Sequence, residues 1–521
     1  MSDKRRFFKH TLIFGFGGII VQLVPFILLP LYTNYLTPGE YGILHFIFLT
    51  SDIINTVFLI GGIRLAAMTF YKQAETEEAR RRIAITISSL LWLAIAAAIT
   101  ASIVFVDYID HFLGTGEKQI LAFGLAAVLI QGLVTIPMTL TQARLESLRF
   151  VLTNIVMACT RLGLCIYFVA GLHWGIWGFL YAQAIVYVVF GFYLTFRELW
   201  IGSIYPDVTK WREILLFALP LVPNGILAFI YGAAGLFSIR HFGHYESAVA
   251  LGMVGIYGLA DRIMSVAPFF GVRPMQQVWT AEMYDVYKKP DAAYIFGGFV
   301  LRLLCVQTGA ALLVSLFAWE IVRGMCAPSF HNAAAFIPLF GLYSLLFLLA
   351  HQMNNSFFIA RKTNLIFFCT LFSLPFLLLF LYLLVPRWGV AGAILAKIFA
   401  HIFYVGIVYF FTQRFFAVRY PFGKMAILLA ITVACYFLSL LCGCGIALSS
   451  LTPEQFQELS RWEKAIDAWE RVQWFSIIAK MGVMLLWGGL IWFSGILSPE
   501  DRALAIRVFK RGLKKLRILR Y

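Results

Sequence analysis

Charge is what this sequence has least of. Only 13% of its 521 residues are Asp, Glu, Lys or Arg, and acids are the scarcer kind at 26 against 42 bases. Soluble domains carry about a quarter of their residues charged, so no soluble globular class accommodates this composition. Also missing are a Walker A loop, an H-E-x-x-H pair and any clustered acidic motif, so neither ATP hydrolysis nor metal-dependent catalysis is indicated. Cysteine is too scattered for a disulfide framework. Cys159, Cys165, Cys305, Cys369 and Cys435 fall in apolar runs where a thiol is ordinary packing. Cys326 stands alone in a short loop, and Cys442 and Cys444, in LCGCG, have no His or Asp nearby to complete a metal site.

What is abundant is hydrocarbon. Hydrophobic residues make up 61% of the chain, aromatics 17%, and the mean hydropathy is +0.84. The apolar runs are long, about 20 residues each, enough to cross roughly 30 Å of bilayer as helices. Short alternating segments, the mark of an outer-membrane barrel, are lacking. The expected fold is therefore an all-α polytopic membrane protein with fourteen spans. They are expected at 11–36, 41–66, 83–106, 119–140, 149–171, 175–197, 213–238, 249–272, 294–318, 333–355, 363–385, 389–412, 424–447 and 473–496. The opening MSDKRRFFKH resembles a signal-peptide head, but the apolar stretch behind it is too long and lacks an A-x-A site, so it is expected to stay as the first span.

The bases sort to one side. With this span order, 31 of the 42 Lys and Arg residues fall on the side of the amino terminus, 7 on the other and 4 deep in spans. That asymmetry orients both termini to the cytoplasm. The tail KRGLKKLRILRY then reads as a topology signal lying on anionic headgroups rather than a nucleic-acid arm. The longest outside segment, 449–473, is acidic and amphipathic, and reads either as a surface helix or as a solvated linker. No outside loop is large enough to be a domain.

Three weak matches recur at nearly one offset: EYGIL with VGIYG (Gly42 with Gly255), ARLESLRF with ARKTNLIF (Ala143 with Ala360), and LHWGIWG with PRWGVAG (Trp174 with Trp388). They imply two six-helix halves, 1–200 and 201–415, entering the membrane in the same sense, followed by an accessory pair of helices and the basic tail in 416–521. A site is expected between the halves near the midplane.

Charges that must sit at membrane depth are the first functional suspects, because each costs at least about 2.5–3.5 kcal/mol there. The stretch GIYGLADRIMSVAPFFGVR holds Asp261 and Arg262; Arg161 and Lys397 lie deep in spans 5 and 12. Lys397 and His401 are four residues apart on one helix face, and His401 titrates in the range of a proton-coupling group, although a buried structural histidine is the plainer reading. Asp52 and Asp261 follow their aligned glycines by ten and six residues, which puts them one turn apart on similar faces of repeat-related helices. Arg64 and Arg273 lie nearer the cytoplasmic mouth, either meeting a substrate first or serving as positive-inside anchors. Amides within spans, Gln131 and Gln183 among them, offer hydrogen bonds, and Pro25, Pro30, Pro220, Pro223 and Pro268 allow bends.

With the YLTPGEYG turn, the GIYGLADRI opening of span 8, the repeat and the span count, the chain resembles the Wzx-type polysaccharide flippases. These share a superfamily with lipid II flippases and multidrug and toxic-compound exporters. The resemblance implies export of an undecaprenyl-diphosphate-linked oligosaccharide across the cytoplasmic membrane by alternating access, without covalent chemistry. It also implies that Arg161, Arg262 and Lys397, with Arg64 and Arg273, bind the diphosphate in a cationic cavity. Asp52, Asp261 and His401 are then the coupling candidates, for H+ or Na+. No cofactor is expected; the expected partners are the lipid-linked sugar, membrane lipids and polysaccharide-assembly proteins, and the protein is expected to act as a monomer. Two other readings stand beside this one: an exporter of small amphiphilic cations, which would favour acids in the cavity, and a membrane glycosyltransferase, polymerase or ligase, which would need positioned carboxylates or a metal.

Overall fold

The computed structural model describes residues 28–199, 206–441 and 462–503, apart from positions 59, 145, 220, 221, 244, 361, 363 and 500. Most of the first expected span with Pro25, Pro220, Arg361, the Cys442/Cys444 pair, most of the 449–473 segment and the basic tail lie outside the described residues. Among the described residues every regular element is a helix. Ten helices are long and apolar enough to cross a membrane, eleven when Pro38–Val57 and Gly62–Tyr71, bent by 59°, count as one span. The chain is a multi-pass membrane protein.

Several expected spans fall where they were placed: Lys118–Ala143, Leu148–Gly171, Gly175–Arg197 and Ser247–Phe270 start within two residues of the expected positions. The seventh does not. It was expected to start at 213, but Thr209–Ala218 forms a helix of its own and the apolar span is Gly225–Phe242. Pro223 accounts for the restart, because proline is accommodated in a first helical turn and not in a helix interior. Spans 11 and 12 form one helical run, Asn364–Thr412, broken at Gly389 (φ 52°).

Ten helices are labelled in chain order: α1 Leu29–Tyr35, α2 Pro38–Val57, α3 Ser147–Cys165, α4 Gly175–Leu199, α5 Val222–Phe242, α6 Ser247–Met264, α7 Ala292–Leu316, α8 Asn364–Thr412, α9 Phe422–Leu441 and α10 Trp462–Phe493. They fall into two compact units, the first comprising Met1–Arg262, Val322–Phe336 and Asn364–Tyr404, the second Ile263–Ile321, Ile337–Thr363 and Val405–Tyr521.

In the first unit the TPGE motif acts as a helix start. The Thr37 hydroxyl accepts from the Glu40 amide at 3.2 Å while the Glu40 carboxylate accepts from the Thr37 amide at 2.8 Å, a reciprocal capping box with Pro38 in the first turn of α2. Five residues past Thr37, Gly42 meets Gly255 of α6 at a very close helix crossing. A Cβ added to Gly42 would lie 2.2 Å from the Leu251 carbonyl oxygen, and one added to Gly255 would lie 2.1 Å from that of Pro38. The two tryptophan–glycine turns also match: Gly175 at the start of α4 and Gly389 within α8 both have left-handed backbone, φ 53° and 52°. An aliphatic core of Ile63, Ile87, Leu91, Leu129, Ile136 and Leu140 packs the rest of this unit's amino-terminal helices.

In the second unit α10 is fastened to α7 along its length. Lys480 pairs with Glu320 just beyond the end of α7, Trp487 covers Gly309 at its middle, and Arg302 Nε lies 2.7 Å from Asp501 near the other end. The Trp487 indole N–H also donates to Thr432 Oγ1 of α9 at 2.9 Å, so α9 and α10 are bound together.

Candidate functional site

A polar cavity of about 330 Å³ opens within the first unit. Both deep arginines line it, Arg161 from α3 and Arg262 from α6, with His45 from α2 and the amides Gln131 and Gln183. Among the described residues no Asp or Glu lines it. Most of the remaining wall is aromatic, Tyr32, Tyr41, Phe48, Phe179 and Tyr187, with Leu44 and Gly258 between them. Tyr32 meets Phe179 edge-on with ring centroids 5.0 Å apart, and Phe48 meets the same ring at 6.1 Å.

Helical periodicity builds this wall. Tyr41, Leu44, His45 and Phe48 occupy positions i, i+3, i+4 and i+7 of α2, one continuous stripe; Phe179, Gln183 and Tyr187 repeat every four residues on α4; Gly258 and Arg262 do so on α6. Gly258 lets the imidazole of His45 lie against the α6 backbone, since a Cβ there would be 3.0 Å from the ring.

The polar atoms are not saturated by the protein. Gln183 is only 1% exposed, yet its Oε1 has no hydrogen-bond partner among the described residues, and the same holds for the buried Nε of Arg161. Leaving such a group unpaired costs about 1–3 kcal/mol, so the cavity is built to receive hydrogen bonds. Two guanidiniums in one cavity suit an anion, and their planar forks match phosphate oxygens.

Lys397 does not line this cavity. It is 6% exposed, and its ammonium donates to the Gly232 carbonyl of α5 at 2.6 Å and lies 5.5 Å from the Tyr257 ring centroid, in electrostatic reach of Asp261. His401, one turn along α8, packs edge-on against Tyr231 at 5.0 Å and Tyr404 at 5.8 Å. Asp261 and Arg262 are both open to solvent-accessible space, as is Asp52 on α2. Arg64 is exposed on the helix Ile60–Gln73, and Arg273, in the second unit, is exposed with its guanidinium 5.3 Å over the Phe269 ring. Of the five cations expected around a diphosphate, the cavity thus gathers two, Arg161 and Arg262. His45 and the five aromatic rings were not singled out from the sequence, although the stripe they form on α2 and α4 is visible there.

A second cavity, about 520 Å³, is lined by apolar side chains including Phe112, Phe229 and Phe237, and among the described residues no Asp, Glu, Lys or Arg lines it. No group of three or more His, Cys, Asp or Glu side chains among the described residues is arranged to hold a metal.

Comparison with known proteins bears on this arrangement. A solved structure of the lipid II flippase MurJ in an inward closed conformation superimposes with a TM-score of 0.66 at 14% identity, covering 93% of this chain and all of that one. An inward-facing multidrug resistance MATE family transporter of the MOP superfamily gives 0.60 at 15% identity over 76% of this chain and 95% of its own. A MOP superfamily transporter from Pyrococcus furiosus, described as having a binding pocket of reversed polarity, gives 0.54 at 15% identity over 78% and 95%. At these identities the likeness is one of fold. No curated protein matches the chain. A sequence model of the family described as polysaccharide biosynthesis protein matches residues 7–280, more than half of the chain. The chain belongs to that polysaccharide biosynthesis family and has the fold of the MOP superfamily.

Proposed function

We propose that the protein is a flippase that carries an undecaprenyl-diphosphate-linked oligosaccharide from the inner to the outer leaflet of the cytoplasmic membrane by alternating access. One observation carries this reading: a single polar cavity brings together Arg161 and Arg262 with amide and aromatic side chains. The diphosphate lies on the two guanidiniums, and the amides and aromatic faces beside them meet the adjoining sugar. Fourteen spans, both termini in the cytoplasm, halves at 1–200 and 201–415 and an added pair of helices in 416–521 belong to the same proposal. The Gly42–Gly255 crossing and the matching backbone at Gly175 and Gly389 support the two-half organisation. Lys397, Arg64 and Arg273 contribute positive potential around the path.

Outward passage of a dianion is favoured by a negative interior, by about 2.3 kcal/mol per charge for each 100 mV. Transport is thus coupled to voltage or to an ion, H+ or Na+, for which Asp52, Asp261 and His401 are the candidate groups. The MATE-like fold supports a second reading, export of amphiphilic cations, but the absence of acids from the cavity wall favours the anion.

Leaflet-resolved transport of a lipid-diphosphate oligosaccharide in proteoliposomes tests the proposal, with proton, sodium and voltage gradients imposed separately. Protein-dependent translocation driven by one of them is expected. Export of an amphiphilic cation with no translocation of the lipid-linked sugar would replace this reading with the second.

A further inference from the structure

The apolar cavity of about 520 Å³ lies between α2, which supplies Thr50 and Ile53, the helix Val106–Leu113, α5, and α8, which supplies Leu378 and Leu381. Leu113, Ala234, Ser238 and Leu381 are buried and form its floor, while Tyr108, Phe112, Ile230 and Leu378 stand exposed around its opening. The Phe237 ring sits in the wall, with its centroid 5.3 Å from that of Phe112 and 6.3 Å from that of Phe229. At the floor the Ser238 hydroxyl already donates to the Gly235 carbonyl at 2.8 Å. Water does not settle in a cavity that lacks polar partners, and a wall that faces empty space forfeits its van der Waals contacts. The occupant that suits this cavity is therefore apolar.

We propose that this cavity holds one acyl chain of a membrane phospholipid, which completes the packing among α2, the helix Val106–Leu113, α5 and α8. Its size suits a chain: counting a methylene group at about the 30 Å³ share of a water molecule, 520 Å³ holds about seventeen, an acyl chain of ordinary membrane length. Three turns of α-helix, about 10 Å across and about 16 Å long, would need about 1,250 Å³, more than twice the space. Exposed apolar side chains of a multi-pass membrane protein frame the opening, so hydrocarbon chains are what surrounds it. The charge at one end suits a lipid phosphate. Beside Leu113 and His241 of the lining, Arg240 Nε donates to the Leu113 carbonyl at 3.2 Å and Arg240 Nη2 donates to Ser247 Oγ at 3.0 Å. These bonds use two of the five N–H groups of a half-buried guanidinium, whose fork matches phosphate oxygens. The chain is not the tail of a substrate docked on Arg161 and Arg262. Thr50 lies about 200° around α2 from Phe48 of the polar cavity, so the two cavities open on opposite faces of that helix. Lipid binding here is separate from whatever the polar cavity carries.

The probe is dibromostearoyl phosphatidylglycerol, whose brominated chains quench tryptophan on contact. It is titrated into the full-length protein, freed of lipid in detergent, and the fluorescence of each tryptophan variant is read as its difference from the wild type. Phe237→Trp, in the cavity wall, is expected to show quenching that saturates at one lipid per protein. Leu485→Trp, at an exposed position of α10, shows only a gradual loss with no such saturation. Adding Ala234→Phe or Ser238→Leu to Phe237→Trp fills the floor and abolishes the saturable quenching; either filling serves if the other does not fold. Absence of saturable quenching at Phe237→Trp, or its persistence in a folded filled variant, overturns the proposal. Relief of the quenching by geranyl diphosphate overturns it as well, because the cavity would then belong to the tail of a substrate.

Discussion

The crossing of α2 and α6 gives a prediction whose size comes directly from the structure. Alanine at Gly42 would bring a methyl carbon to 2.2 Å from the Leu251 carbonyl oxygen, and alanine at Gly255 would bring one to 2.1 Å from that of Pro38. A carbon rests against a carbonyl oxygen at about 3.3 Å, so either substitution drives the helices apart by about 1 Å. The obstacle in both cases is backbone, which has no rotamer to move. Overpacking of this kind costs about 1–3 kcal/mol, and each single variant should lose that much. The double variant Gly42→Ala/Gly255→Ala is more telling, because one separation of the helices relieves both clashes. Its cost should fall short of the sum of the singles by about 1 kcal/mol or more, the mark of coupled sites. Reversible unfolding in mixed detergent micelles measures all three. Singles within about 0.5 kcal/mol of the wild type, or a double equal to the sum, would refute the close approach.

In the cavity, Arg161→Gln and Arg262→Gln should each weaken binding of a prenyl diphosphate by about 10- to 100-fold, the equivalent of one charge-assisted hydrogen bond lost; equilibrium binding to the purified protein decides, and a change below about threefold removes that arginine from the site. Lys480→Met should destabilise the protein by about 3 kcal/mol or more because it leaves Glu320 unpaired, whereas Lys480→Met with Glu320→Leu should recover most of the loss; a double variant as unstable as the single contradicts this account. Outside the membrane, hydrogen bonds from the Thr209 hydroxyl and amide hold the Asp207 carboxyl below the usual carboxylate range. Its folded pKa is depressed, so the support it gives helix Thr209–Ala218 is present at neutral pH and is lost as pH falls through the folded value. Amide exchange in the first turn of that helix, measured against the rest of the chain, should rise in acid, and Asp207→Ala should abolish the pH dependence; the same profile in the variant would exclude the Asp207–Thr209 hydrogen bonds as its source.

The membrane spans and the deep cations were legible because hydrocarbon penalises charge so heavily that any Arg at depth needs a polar surrounding. Arg161 and Arg262 line one cavity. Lys397 shows the limit: four-residue spacing assigns it a face shared with His401, but which helix covers that face depends on packing, and here it is α5 with its Gly232 carbonyl. Aromatic side chains in a membrane protein are expected almost anywhere, so Phe48 and Phe179 carried no signal singly; only the i, i+3, i+4, i+7 register around His45 distinguishes a cavity wall from a lipid-facing stripe. The glycines were readable as a repeat, yet their meaning was not. Alignment pairs Gly42 with Gly255 as equivalent positions, and only the folded chain shows that the two equivalent positions touch. Span 7 shifted because a proline that looked like a bend inside one helix begins another.

The fastening of α10 to α7 also measures the membrane. Arg302 and Glu320 mark the two ends of that seam, on and just beyond a helix of 25 residues that is long enough to cross the roughly 30 Å of bilayer hydrocarbon. The Lys480–Glu320 pair at one end is nearly enclosed, whereas Arg302 at the other end stays partly exposed. A thicker bilayer would draw one pair into hydrocarbon, and a thinner one would leave apolar side chains of α9 and α10 in water. The pair of carboxy-terminal helices thus acts as a thickness gauge, tying this protein to membranes of one hydrophobic width.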